Sequence, residues 1–427
     1  MLLRLFSRRC IRPGSSSSSS SSSSSVFTSA SYNYNYSYRH SHSYSRSTHS
    51  HSHSHRHRHS HSHSHKPLIF SRSSMSSAPP PPSPLSQPLK IACVQLLSGQ
   101  DRAANLRRAR EKVLEAAAAV GRAGLVVLPE CFNSPYDIAQ LGRYAESVPP
   151  REERERPGGP DREKYPSFVA LSDMARDANV FLVGGSIPER SLLPPSAGIE
   201  TSDPTQEQMV KAKEWASLSH TGKEHVHLYN TSLTFNPQGT LIGVHRKIHL
   251  FDIDIPGKIT FKESAVVSPG HLPTLVNIPP YGTIGIQICY DIRFPELMAI
   301  YARKGAFAVV IPAAFNLTTG PLHWELLARA RANDNQLYIA MCSPARTGPD
   351  VEGYKAWGES MLVDPMGRVL QKADGGNEGT VYAELKPEEI VNTRAGIPVS
   401  LQSRWDVYPD LSRDVVVEVG DGLALLD

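Results

Sequence analysis

Cysteine is scarce in this chain: five in 427 residues, scattered, with no Cys-x-x-Cys and no regular spacing. That excludes a disulfide framework and a cysteine-based zinc site, and it fits a reducing compartment. No apolar run approaches the length of a membrane span, so no membrane partner is expected. Acids are missing altogether from residues 1–74, which carry ten Lys/Arg. The formal charge of +4 is therefore a property of the leader; with 35 basic against 41 acidic residues, 75–427 stand at −6. No basic stripe remains there, which argues against nucleic-acid binding.

What the first 74 residues do contain is Ser, His, Tyr, Asn and Arg, with a run Ser15–Ser25 and Ser-His alternation to His65. Apolar surface is too sparse to offset chain entropy, and disorder is expected. The opening MLLRLFSRRCIRP mixes Leu and Phe with Arg, the composition of a mitochondrial presequence. A start at Met75, ahead of a Pro-rich linker over 75–87, would give a cytoplasmic product without the leader. The histidine-rich tract could capture metal, though without fixed geometry a low-complexity spacer is the simpler reading.

From residue 88 to the end, short apolar runs alternate with helical patterns. Strands are expected at Ile91–Leu96, Leu125–Leu128, Val180–Ile187, Tyr229–Phe235, Leu241–Ile248, Thr274–Ile278, Thr283–Ile288, Phe307–Ile311, Leu337–Ser343, Ser360–Val363, Val369–Lys372 and Thr380–Leu385. Helices are expected at Asp101–Arg122, Ser167–Asn179, Pro295–Lys304 and His323–Asn335. The class is α/β, with mixed sheets packed between helices. Two polar stretches, 149–164 and 191–223, read as surface insertions, the second with a short helix over 206–215.

The stretch 281–297, YGTIGIQICYDIRFPEL, organises the chemistry. An apolar strand turns at Cys289 towards a helix announced by Pro295, leaving the thiol at a sheet rim beside free N–H groups. Such a place favours a nucleophile and an oxyanion; an ordinary core cysteine is the competing reading. Glu130 follows the strand LVVLP, where partial desolvation would raise a carboxylate towards a useful base, although many strands end in an acid. Lys247 faces away from Val244, Arg246 and Ile248, which by itself suits a solvated edge. Glu263 is weaker alone. Together, thiol, carboxylate and ammonium supply a nucleophile, a proton shuttle and an electrophilic stabiliser for amide hydrolysis. No Cys-His pair of the protease kind is evident.

Residues 88–395 resemble the nitrilase (carbon–nitrogen hydrolase) superfamily. LPECFNSPY (128–136) matches its glutamate motif, HRKIHLFDIDIPGKITFKES (245–264) its lysine motif and GIQICYDIRFPEL (285–297) its cysteine motif. The resemblance implies Glu130 as base, Lys247 as triad lysine, Cys289 as nucleophile and Glu263 as an orienting second glutamate. FNSPY, FDIDIPGKITF, residues 314–340 and CSPAR (342–346) are similar to the omega-amidase branch, which acts on 2-oxoglutaramate and 2-oxosuccinamate. It further implies a four-layer α-β-β-α sandwich, a homodimer, a small-molecule amide substrate and no metal or organic cofactor. The Tyr290 backbone N–H is the expected oxyanion donor. Tyr136, Arg293, Asn316 and Thr318 are candidates for the distal carboxylate of the substrate. For Arg293 an ion pair with Asp291 or Glu296 is slightly preferred. Ala313 in IPAAFN and the insertion at 191–223 depart from the branch pattern.

Overall fold

The computed structural model describes residues 83–191, 226–257, 259–413 and 415–420. The leader, most of the Pro-rich linker, and all but the first residue of the 191–223 insertion, with its expected short helix, lie outside the described residues.

Two sheets carry the fold. The first contains β1 (Leu89–Gln95), β2 (Leu125–Val127), β3 (Phe181–Val183), β4 (Ile187–Ser191), β5 (His227–Phe235), β6 (Leu241–Arg246) and β15 (Gly379–Leu385), in the order β15-β1-β2-β3-β5-β4 with β6 beside β5. The second contains β9 (Thr274–Ile278), β10 (Gly282–Ile286), β11 (Ala306–Pro312), β12 (Tyr338–Cys342), β13 (Met361–Val363), β14 (Val369–Lys372) and β16 (Glu418–Gly420), in the order β14-β13-β12-β11-β10-β9-β16. A hairpin of β7 (Asp252–Ile255) and β8 (Ile259–Lys262) stands apart from both.

Strand parity builds the layers. On β1, Ile91 and Cys93 join the core shared with Val276, Ile284, Ile286 and Val310 of the other sheet. Their neighbours Ala92 and Val94 point the opposite way, into a core with Ala109 and Val113 of helix Arg102–Val120 and Leu171 and Met174 of helix Pro166–Ala178. On the second sheet Val309 and Ile311 face helices Pro295–Arg303 and Gly320–Asn335 through Met298, Tyr301, Trp324 and Ala328. Period-two strands therefore have both faces buried, which is why they read as nearly continuous apolar runs. The result is the expected helix–sheet–sheet–helix sandwich.

Within each sheet the central strands β1, β2, β3 and β10, β11, β12 run parallel. Their carboxyl ends form rims from which chain segments leave, the usual position for a site in α/β proteins.

The structure corrects several expectations. Val180–Ile187 is not one strand. It breaks at Gly184-Gly185-Ser186, where Gly185 takes a left-handed φ of +61° and an added Cβ would lie 2.1 Å from the Pro129 carbonyl oxygen. Only glycine allows that approach. The break then serves the glutamate loop: the Ser186 hydroxyl accepts from the Cys131 N–H at 3.0 Å. The 149–164 stretch holds a short helix, Arg151–Glu155, with an Arg151–Glu155 pair at 2.9 Å. The β7–β8 hairpin, helix Pro387–Gly396 and β16 were not anticipated either. Their burial is slight, with only Ile390 and Thr393 buried on that helix, so periodicity carries little signal.

Candidate active site

Glu130 and Cys289 each lie just beyond a parallel strand, β2 and β10, and Ala314 lies just beyond β11. The three rims converge. Glu130 is fully buried, and each carboxylate oxygen is held. Its Oε1 accepts from Asn230 Nδ2 at 2.8 Å and lies 3.4 Å from Lys247 Nζ. Its Oε2 accepts from the Ala314 N–H at 2.7 Å. Cys289 acts on the same carboxylate, its thiol being among the groups that lower the Glu130 pKa. Its sulfur also lies 3.8 Å from the Ala314 carbonyl oxygen.

Lys247 is also wholly buried, and its ammonium donates to Glu263 at 2.9 and 3.1 Å. Glu263 Oε2 accepts the Phe251 N–H at 2.6 Å, which fixes the carboxylate against the loop that carries Lys247. Burial opposes the Lys247 charge, but Glu263 and Glu130 outweigh it and hold its pKa well above the ordinary lysine value. Burial raises the Glu130 pKa against the pull of Lys247, with the Glu263 charge adding to the rise. Burial, then the Glu130 charge, push the Cys289 thiol up much further. The proton is thus held on sulfur, beside a Glu130 carboxylate whose two oxygens accept from Asn230 and Ala314 and which is placed to take it.

Cys289 has a left-handed φ of +47°, unusual for a residue with a side chain, and opens a 3-10 turn, Cys289–Arg293, ahead of the helix at Pro295. Buried Asp291 holds this turn. It accepts the Ile288 N–H at 3.0 Å, the His249 N–H and Nδ1 each at 2.8 Å, and lies 3.3 Å from His245 Nε2. Burial would raise its pKa, but the bonds from His245 and His249 prevail and lower it. The nucleophile turn is thus tied directly to the lysine loop. Among the described residues the Tyr290 N–H has no acceptor, so the expected oxyanion donor is free.

The substrate-side candidates separate. Tyr136 packs against Tyr354 with the rings tilted at 45° and their centroids 4.5 Å apart. Arg293 makes no ion pair with Asp291 or Glu296, contrary to expectation, because Asp291 is taken by the two histidines. Its guanidinium lies over the Phe315 and Tyr290 rings, 5.1 and 5.5 Å from their centroids, with Nη1 3.2 Å from His323 Nδ1. No carboxylate pairs with it among the described residues. Asn316 is largely committed to structure: its Oδ1 accepts from the Thr318 and Thr319 N–H groups and the Thr319 hydroxyl at 3.0, 2.8 and 3.0 Å. Thr318 is half-buried in that turn. Sequence reasoning missed Asn230, Ala314 and Tyr354. Ala314 at a strand's carboxyl end was findable by the logic that found Glu130, whereas Tyr354 lies in a loop with no periodic signal.

A thiol, a carboxylate base and an ammonium closed inside an α-β-β-α sandwich define a cysteine hydrolase of the carbon–nitrogen class. The carbon-nitrogen hydrolase family model matches residues 90–395, and the chain belongs to that family. It is accordingly an amide-hydrolysing enzyme. The omega-amidase NIT3 of Saccharomyces cerevisiae is 44% identical over 77% of this chain and 97% of its own. The human omega-amidase NIT2 is 42% identical over 75% of this chain and 96% of its own. The crystal structure of the yeast Nit3, a member of branch 10 of the nitrilase superfamily, has a TM-score of 0.59 at 41% identity, covering 75% of this chain and 98% of that one.

Removing the buried cation is expected to be costly. Lys247→Met leaves Glu130 and Glu263 as two uncompensated buried carboxylates, and breaking such a pair costs about 3–5 kcal/mol. Without the ammonium the Glu130 carboxylate, already raised by burial, binds its proton more tightly folded than unfolded. Its contribution favours the folded state below the ordinary carboxylate pKa and is lost as pH rises through the raised value. Urea melts should show the deficit smaller at pH 5 than at pH 8; a deficit independent of pH would contradict this account.

Proposed function

We propose that this enzyme is an omega-amidase, hydrolysing the terminal amide of 2-oxoglutaramate or 2-oxosuccinamate to the dicarboxylate and ammonia. The observation that carries the reading is Arg293, a guanidinium with no carboxylate partner among the described residues, in the same turn as the nucleophile of a thiol–carboxylate–ammonium cluster. The cluster suits an amide, and the guanidinium suits a second anionic end of the same small molecule. Similarity to omega-amidases of yeast and human over most of their length supports the same substrate class.

In this mechanism the Cys289 sulfur attacks the amide carbon while its proton passes to Glu130. The carbonyl oxygen becomes an oxyanion held by Lys247 and the Tyr290 N–H. Glu130 returns the proton to nitrogen as the carbon–nitrogen bond breaks, which releases ammonia and leaves a thioester. Water then gives a proton to Glu130 and adds to the thioester; the carbon–sulfur bond breaks and the sulfur recovers the proton. Glu263 holds Lys247 throughout and exchanges no proton. Tyr136 and Arg293 receive the distal carboxylate, while Asn316 and Thr318 shape the turn beside it.

Ammonia release from 2-oxoglutaramate, succinamate, glutamine and a nitrile tests the reading. Turnover should be highest with 2-oxoglutaramate and should vanish in Cys289→Ala, which leaves little cavity at a strand end. Turnover by a folded Cys289→Ala protein, or preference for glutamine or the nitrile, would refute it.

A homodimer is part of the proposal. Leu322 and Leu326, each 63% exposed, stand one turn apart on helix Gly320–Asn335, and Leu317 precedes them at 46%. An apolar strip of this kind suits helix packing between copies. Sedimentation should give twice the chain mass, and Leu326→Lys should shift it towards the monomer; an unaltered or single-chain mass for both would count against it.

We also propose that residues 1–74 direct the protein to mitochondria and play no part in catalysis, on the strength of their acid-free, Arg- and Ser-rich composition. Full-length and Met75-initiated forms should image as mitochondrial and cytosolic respectively. The same distribution for both would disprove targeting.

A further inference from the structure

Ala314 is placed so that the backbone of one residue serves both reacting groups. Its N–H donates to Glu130 Oε2 at 2.7 Å, and its carbonyl oxygen is 3.8 Å from the Cys289 sulfur. That carbonyl is the partially negative end of a dipole facing an atom that must become electron-rich. The phenol of Tyr354 donates a short hydrogen bond to the same carbonyl oxygen. We propose that Tyr354 is a positioning residue of the active site, whose hydroxyl holds the Ala314 carbonyl and offsets its negative end, so that the Cys289 proton is given up to Glu130. The proposal rests on the assignment of Cys289 and Glu130 made above.

Three observations carry it. The first is geometric: the Ala314 carbonyl and the Glu130 carboxylate compete as acceptors for the single thiol proton, and a carbonyl already engaged by an O–H donor is the poorer competitor. The second is electrostatic. Burial raises the pKa of both Glu130 and Cys289, and hydrogen bonding with the Ala314 backbone works against that rise in each. A tether on the Ala314 carbonyl fixes the residue, and with it the adjoining N–H that Glu130 accepts. The third is the support of the loop. Arg346 Nε donates to the Ala356 carbonyl at 3.0 Å, Lys355 Nζ donates to the Thr347 hydroxyl at 3.1 Å, and the Trp357 N–H donates to the Phe315 carbonyl at 2.6 Å. These bonds close the 343–357 loop over the segment that carries Ala314. Tyr354 itself is half-buried against Tyr136, and desolvation of its phenol, followed by the Cys289 and Glu130 charges, keeps it protonated, hence always a donor.

Tyr354→Phe removes the hydroxyl and keeps the ring, so the comparison isolates one hydrogen bond. The kcat on 2-oxoglutaramate should fall roughly tenfold, with KM changed little, the scale of one hydrogen bond felt in the transition state. A second readout needs no substrate: the pH profile of Cys289 alkylation by iodoacetamide should move to higher pH. The other charged or titratable groups facing the thiol are Glu130, Lys247 and Glu263, with Tyr136 beside them. Tyr136→Phe is therefore the control, in which KM should rise while the alkylation profile stays in place. Should Tyr354→Phe not fold, 3-fluorotyrosine at position 354, a stronger donor, should move the alkylation profile to lower pH. An unmoved profile in either Tyr354 variant, or a Tyr354→Phe kcat within twofold of native, would overturn the inference. Turnover in Cys289→Ala would instead remove the catalytic assignment beneath it.

Discussion

A lysine with no exposure to water is the constraint on which the site depends. An ammonium inside a sandwich core is tolerated only if opposite charge and hydrogen bonds replace its hydration. Glu263 does this closely, Glu130 at slightly longer range, and each glutamate is itself held by backbone N–H groups, from Phe251 and Ala314. Every one of those groups leaves from a different part of the chain. The charge cluster therefore exists only when both sheets, the β7–β8 hairpin and the loop after β11 are in register with one another. Charge placement and fold are coupled, because displacing Glu263 would leave Lys247 with only its longer 3.4 Å contact to Glu130.

Local backbone strain is concentrated at the same place. Cys131 and Cys289 both adopt left-handed φ values, +52° and +47°, although neither is glycine. Each is fixed by hydrogen bonds that a relaxed conformation would forfeit: the Cys131 N–H goes to Ser186, and the turn after Cys289 is gathered by Asp291. Strain of this sort persists only when the surroundings over-determine it. Here the surroundings include a glycine, Gly185, pressed against the Pro129 carbonyl just ahead of the base. The rim that carries Glu130 is held from below by a turn and from the side by a strand, which leaves the carboxylate little freedom to swing out of line with the sulfur.

How much of this was legible beforehand follows the range of the interaction. Strand ends are local events, so Glu130 and Cys289 could be placed at sheet rims by periodicity alone. Glu130 takes its other two ligands from Asn230 and Ala314, 100 and 184 residues away, and no local pattern marks those as partners. Arg293 shows the opposite error. Asp291 is its near neighbour in sequence, which suggested a pair, but His245 and His249 reach that carboxylate from 46 and 42 residues away. The single-strand reading of Val180–Ile187 failed because apolar content was counted while two consecutive glycines were not weighed as a break. Glu263 and Lys247 had little local signal, and it was the resemblance of the whole lysine motif that put them together.

The raised thiol pKa is consistent with nucleophilic chemistry once the cluster's total charge is followed. At rest, two carboxylates and one ammonium give a buried charge near −1, and an added thiolate would make it −2 in a low-dielectric space. The fold resists that state, as the position of the Cys289 pKa records. During attack, however, the proton moves to Glu130 as the bond to carbon forms, so the negative charge passes from carboxylate to the substrate oxygen. The total remains near −1 and only its position changes, from beside Asn230 and Ala314 towards Lys247 and the free N–H of Tyr290. Catalysis in such a site is a relocation of charge between preformed sets of donors, which costs little reorganisation because both sets are already in place.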